Sequence, residues 1–133
     1  FMKRGSRIIQ LASSAAFLPQ PGFAVYAAGK SYVLSFSRAL GEELREKGIF
    51  VTAVCPGPVR TEFFERAERK ASTLAIKKYV MADAKDVVAD ALYASARRHP
   101  SAVYSLPIRA FGLLTKLCPH SLILMITRFL KRM

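Results

Sequence analysis

RIIQLASSAAFLPQPGFAVYAAGKSYVLSFSRALGEELREKGIFVTAVCPGP, residues 7–58, carries the reading of the fold. It opens with Arg7-Ile8-Ile9-Gln10-Leu11-Ala12, short, apolar and rich in β-branched residues, as a buried strand is. Pro19, Pro21 and Gly22 mark Ser13–Gly22 as a loop. A helical pattern follows over Phe23–Lys47, where Val33, Phe36, Leu40 and Leu44 recur at spacings of three and four and predict one buried face. Arg45 and Lys47 suit the electronegative end of that helix, and Gly48 suits the left-handed position just beyond it. Ile49–Cys55 is a second continuous apolar strand, stopped by Pro56-Gly57-Pro58. Two strands apolar throughout, joined by a long helix, predict a βαβ unit in a parallel α/β sheet covered on both faces.

Working outward, Thr61–Tyr79 is mixed and charged and predicts a short helix in a mobile stretch. Asp86–Arg98 predicts a second amphipathic helix, with Val87, Val88, Ala91, Leu92 and Tyr93 as its apolar set. Ser101–Leu106 predicts a third strand, and Ile108–Met133 two short helices broken at Pro119. The chain thus divides into an α/β part, 1–107, and a basic amphipathic helical extension, 108–133. Open parallel sheets bind ligands at the carboxyl ends of their strands. The loops Ser13–Gly22 and Pro56–Thr61 belong there, beside the start of the long helix.

Composition bounds the function. A chain of 133 residues, 52% hydrophobic and 23% charged, reads as one folded domain and not as a disordered one. Phe1–Arg7 has neither the apolar core nor the cleavage site of a signal peptide, and a strand begins at once. A piece of a longer protein is therefore expected. No apolar stretch reaches the roughly 18–20 residues of a membrane-spanning helix. Cys55 and Cys118 make no disulfide framework, which predicts packing roles in a reducing, cytoplasmic setting. His99 and His120 have no ligand partner at metal-binding spacing, so no metal is expected. Net charge is +12, and after Asp90 come seven cations and no acid. Such a tail can meet lipid or nucleic-acid phosphates, although charge alone favours a solvated basic surface. No nucleic-acid recognition motif accompanies it, and no nucleic-acid partner is expected.

Tyr26 and Lys30 lie four apart near the start of the long helix and share a face. An ordinary phenol titrates near ~10, too high for ready proton exchange at neutral pH. An ammonium beside it favours the phenolate, which makes such a pair a general acid–base couple. Alone the pattern is common, and a solvated helix face is the bland reading; its position at the sheet's ligand end raises it. Ser13-Ser14, at the end of the first strand, offers hydroxyls that polarise a carbonyl oxygen. Serines that satisfy loop backbone groups are the alternative.

The run Ile8–Ala16, followed by Pro19–Lys30, resembles the active-site stretch of the short-chain dehydrogenase/reductase family. Val51–Thr61 is similar to that family's P-G motif after its sixth strand, and Asp86–Ala89 to the start of its next helix. The resemblance covers most of Gly5–Leu106. It implies the C-terminal half of a Rossmann-type doubly wound parallel sheet with a helical C-terminal extension. It implies an NAD- or NADP-dependent oxidoreductase that interconverts a carbonyl and an alcohol by hydride transfer. Tyr26 would be the acid in reduction and the base in oxidation. Lys30 would favour its phenolate and bind the nicotinamide ribose. Ser14 would orient the carbonyl: it matches when counted from the strand, whereas Ser13 meets the family's thirteen-residue spacing to the tyrosine. Pro56, Gly57 and Val59 would pack on the nicotinamide, and Thr61 would reach towards the pyrophosphate. Gly29 departs from the family's usual Ser, Thr or Ala. The larger departure is the lack of a glycine-rich phosphate-binding turn.

The partners implied are a small carbonyl or alcohol, with Phe23 and the apolar tail pointing to a hydrophobic one, and a second copy of the full-length chain. A rival class is a catalytically silent scaffold or membrane-surface protein. It rests on the tail's apolar, all-cationic helices, which suit peripheral contact with an anionic membrane.

Overall fold

A computed structural model describes residues 1–60 and 81–130 of the chain. Three strands form one parallel sheet in the order β1 (Arg7–Leu11), β2 (Phe50–Val54), β3 (Ser101–Ala102). β1 and β2 pair from Arg7 opposite Phe50 to Leu11 opposite Val54. β3 is a two-residue strand, far shorter than Ser101–Leu106, because the helix that starts at Leu106, with Pro107 in its first turn, ends any extension. The helices are α1 (Ala24–Glu43), α2 (Ala84–Ala96), α3 (Leu106–Leu117) and α4 (His120–Leu130), the last two broken at Pro119 as the sequence predicts. The predicted helix within Thr61–Tyr79 lies outside the described residues.

α1 ends at Glu43, earlier than its charge pattern suggests, and turns lead to Gly48. Gly48 sits at φ 67°, and a Cβ there would lie 2.6 Å from Arg4 Cγ, so conformation and space both favour glycine. The buried row of α1 is Ala27, Leu34 and Ser37. Predicted core residue Phe36 is instead 44% exposed and stacks on Tyr32, ring centroids 5.9 Å apart. Small side chains let this helix sit close to the sheet: Gly41 lies against Val51. α2 departs in the same way. It buries Val87, Ala91, Ala94 and Ser95, whereas Val88, Leu92 and Tyr93 are exposed.

The core divides by strand alternation. Ala53 and Cys55 pack with Ala12 and Leu34 on the α1 side, while Val54 packs with Val87, Ala91 and Ala94 of α2. The two helices therefore cover opposite faces. Since β1, β2 and β3 step across the sheet in one direction, the two crossovers have opposite hands, and one breaks the usual right-handed rule. Buried hydroxyls are satisfied: Thr52 donates to His99 O at 2.7 Å and Ser37 to Val33 O at 2.6 Å.

β2 is covered on both faces, whereas β1 is not. Ile9 and Leu11 are 42% and 61% exposed. They share the α2 side of the sheet with Arg7, whose guanidinium donates to Ser95 O of α2. Phe50 N–H donates to Ser6 O, and Ala12 N–H to Val54 O. Even-numbered residues of β1 thus face β2, and the backbone groups of Arg7, Ile9 and Leu11 face an open edge.

Candidate active site

The carboxyl ends of β1 and β2 and the first turns of α1 enclose a cleft of about 530 Å³. Ser14, Tyr26, Lys30, Pro56, Gly57 and Val59 all line it. Of the site residues read from the sequence, Thr61 alone lies outside the described residues.

After β1 the backbone turns immediately. Ser13 caps a 3-10 turn, Ser14–Phe17, inside the stretch that reads as loop; its Oγ accepts from Ala15 N–H at 3.1 Å. Ser14 N–H donates to Pro56 O at 2.8 Å, which ties the end of β1 to the P-G segment. Ser31 of α1 donates to Ala16 O at 3.0 Å and fixes the same turn to the helix. The two serines differ. Ser13 is buried and its oxygen is engaged as the cap, whereas Ser14 is half-buried on the cleft wall.

Tyr26 and Lys30 emerge one turn apart from α1 on its half-buried side. Lys30 Nζ lies 5.8 Å from the centre of the Tyr26 ring and donates to Leu11 O at 2.9 Å. Leu11 O faces the open edge of β1, so the ammonium is held at the rim by a backbone acceptor that β2 does not use. Tyr104 makes the contrast. It lies beside the Asp86 carboxylate, whose charge pushes its phenol above the usual range. Tyr26, by contrast, has the Lys30 ammonium beside it.

The second wall is the segment after β2. Cys55 is fully buried, and burial pushes its thiol up to about 11, opposed by the Arg38 charge and the Ser13 backbone. It is a packing residue and not a nucleophile. Val59 pairs with Ala82 in an isolated parallel bridge, with Arg60 N–H to Ala82 O and Ala82 N–H to Pro58 O both 3.0 Å. The chain therefore leaves and re-enters the described structure at one point of the rim. A Cβ on Gly57 would lie 2.7 Å from Ile108 Cδ1, so α3 is seated against the P-G segment. No local pattern marks that contact, because Ile108 reads like any apolar residue of the tail. Among the described residues no three His, Cys, Asp or Glu side chains gather at a metal-binding distance.

A parallel sheet covered by helices on both faces places the chain in the Rossmann-type α/β class. The chain belongs to the short chain dehydrogenase family, whose model matches residues 1–72. It is 45% identical over 60 residues to a chloroplastic NADPH-dependent aldehyde reductase-like protein of Arabidopsis thaliana, covering 45% of this chain and 22% of that protein. It is 33% identical over 104 residues to the 3-oxoacyl-(acyl-carrier-protein) reductase FabG of Buchnera aphidicola, covering 74% of this chain and 41% of that one. A solved short-chain dehydrogenase from Sphingobium yanoikuyae, in complex with NADPH, superposes with a TM-score of 0.64 at 29% identity, over 80% of this chain and 41% of that one. The chain spans less than half the length of each of these three relatives.

Proposed function

We propose that this chain is the catalytic half of an NAD- or NADP-dependent carbonyl reductase or alcohol dehydrogenase. The observation that carries the reading is the convergence of Tyr26, Lys30 and the Ser13–Ser14 pair on one cleft at the carboxyl ends of parallel strands. In reduction, Tyr26 gives its phenolic proton to the carbonyl oxygen, and in oxidation it takes that proton back. The Lys30 ammonium stabilises the phenolate and donates to ribose hydroxyls. A strand-end hydroxyl donates to the carbonyl oxygen as negative charge grows there. Hydride transfer is the chemistry a bound nicotinamide supplies.

The residues present suit the nicotinamide end of such a cofactor. The cleft is largely apolar, has one ammonium at its rim and is floored by Pro56, Gly57 and Val59. They do not suit the pyrophosphate end, since the sequence has no glycine-rich turn. Thr61 keeps its proposed role towards that end. The open edge of β1, with Ile9 and Leu11 exposed, supports a dinucleotide-binding half that pairs there, giving 1–107 as part of one larger domain and 108–133 as its extension. The stacked Tyr32 and Phe36 on the outer face of α1 support self-association of the full-length protein. A hydrophobic substrate fits the apolar lining.

Ser14 is the proposed carbonyl-orienting residue because its side chain is the more accessible one in the cleft. One observation favours Ser13: the Ala15 N–H holds its oxygen in place, and its own proton remains available to donate. Four single substitutions in the full-length protein test the whole reading. Tyr26→Phe should lower turnover by roughly 10²–10⁴-fold with cofactor affinity unchanged. Lys30→Ala should lower both. Ser14→Ala should lower turnover by about a hundred-fold or more and Ser13→Ala far less; the reverse order assigns the role to Ser13. Near-normal turnover in Tyr26→Phe contradicts the proposal.

A further inference from the structure

The C-terminal helices carry apolar faces that nothing in the described structure covers. On α3 the packed side holds Ile108, Gly112 and Thr115; Gly112 lies against the Phe17 ring, where a Cβ would meet Cε2 at 3.0 Å. The opposite side presents Leu106, Leu113, Leu114 and Leu117, all more than half exposed. With the 3.6-residue repeat, these side chains fall in one stripe, and Arg109 and Lys116 fall together along one flank of it. α4 repeats the arrangement. Leu122, Met125, Ile126 and Phe129 recur at three and four residues and are exposed, while His120 and Leu124 line a cavity with α1.

Charge decides what such a surface meets. Neither helix contains a carboxylate, and none follows Asp90. Arg38, Arg109 and Lys116 line one cavity of about 180 Å³ at the flank of α3, and among the described residues no acidic side chain lines it with them. A second protein chain would have to bring its own acids to this face, and a second copy of this one carries the same cations. A bilayer with anionic headgroups supplies both halves at once: acyl chains for the leucine stripe and phosphates for the cations beside it.

We propose that α3 and α4 form a peripheral docking surface for an anionic lipid bilayer. Amphipathic helices of this type lie in the plane of the interface, with cationic side chains extended to the headgroups. Among the described residues no single helix is long and apolar enough to cross a membrane, and α3 and α4 meet at a 118° bend. Because Ile108 of α3 rests on Gly57, docking holds the rim of the cleft next to the lipid. The inference stands apart from the enzymatic reading, since lipid binding requires neither cofactor nor turnover.

Co-sedimentation of the full chain with vesicles tests it, using phosphatidylcholine alone and an equal mixture with phosphatidylglycerol. The mixed vesicles should bind at least tenfold more tightly, and about 1 M salt, where the screening length falls to about 3 Å, should release the protein. The pair K116E and R128E, the latter at the exposed cation in the last turn of α4, should weaken binding by about tenfold or more. The pair L117D and F129D, at exposed positions, should abolish it while the circular dichroism spectrum is kept. Four results would overturn the proposal: no binding at low salt, equal binding to neutral vesicles, full binding by either double variant, or retention through a high-salt wash. A lipid-free dimer split by L117D and F129D would also overturn it, by giving the face to a second copy.

Discussion

β1 and β2 are five-residue parallel strands in continuous register, both apolar in sequence, yet they inhabit different surroundings. β2 has a strand on either side and a helix on either face, and Val54 is 4% exposed. β1 has one neighbour, and α2 leaves its Ile9 and Leu11 open on that face. Their ends differ in chemistry as well. The end of β1 provides serines and a backbone acceptor for Lys30, which the proposed function uses in proton transfer, whereas the end of β2 provides the P-G floor on which, in the same proposal, a nicotinamide would rest. A strand buried on both faces is fully specified by its own chain. One that is apolar but open is an edge at which a further strand can pair, as the proposed function requires.

The largest expected effect lies in the contrast between the two strands. Val54→Asp places an unpaired carboxylate between the sheet and α2 and should cost more than about 3 kcal/mol, or prevent folding. Ile9→Asp, on the same face one strand over and half-open, should change stability by no more than about 0.5 kcal/mol and reduce self-association. Urea unfolding and light scattering of both variants check this. Equal costs would mean that the edge of β1 is covered in solution.

A middle-sized effect is expected where β2 meets α3. Gly57→Ala forces Ile108 aside and should cost about 1–3 kcal/mol, most of it recovered by a smaller residue at 108. A double-mutant cycle with Ile108→Val reads the coupling directly. Strict additivity would show that α3 does not rest on the P-G segment.

The smallest effect concerns the two thiols. Cys55 is buried with its thiol pushed up to about 11, and Cys118 is half-buried. An alkylating reagent near pH 8 should modify Cys118 well before Cys55. The folded protein holds the Cys55 proton more tightly than the unfolded chain does, so its contribution is present below pH 9.0 and is lost as pH rises through about 11. Equal labelling rates in the folded protein would place Cys55 at the surface.

Both strand ends, the long helix and the break at Pro119 were legible because period and turn residues are local signals. The gathering of six of the seven proposed site residues on one cleft was legible too, from the Tyr26–Lys30 spacing and the family-like runs around it, while their roles stand as the proposal. Facing was harder. Phe36, Val88, Leu92 and Tyr93 read as core by size, but the contact faces of α1 and α2 use Ala27, Ser37, Gly41, Ala91 and Ala94, whose small side chains permit close approach and carry a weak hydrophobic signal. The 3-10 turn at Ser14–Phe17 is hidden because its cap, Ser13, is indistinguishable in sequence from an ordinary loop serine. The covering of α2 and α1 on opposite faces depends on contacts across the sheet, which no local pattern records.

Cofactor titration tests the central claim most directly. The 133-residue chain should be compared with the same chain joined to a half that carries a glycine-rich turn and a strand able to pair with β1. Fluorescence or calorimetry with NADPH and NADH should show saturable micromolar binding for the joined protein and none for the chain alone. On the proposed function the chain alone offers a nicotinamide floor, and its sequence contains no glycine-rich phosphate-binding turn. Tight stoichiometric binding of either cofactor by the soluble, monomeric 133-residue chain would contradict the account.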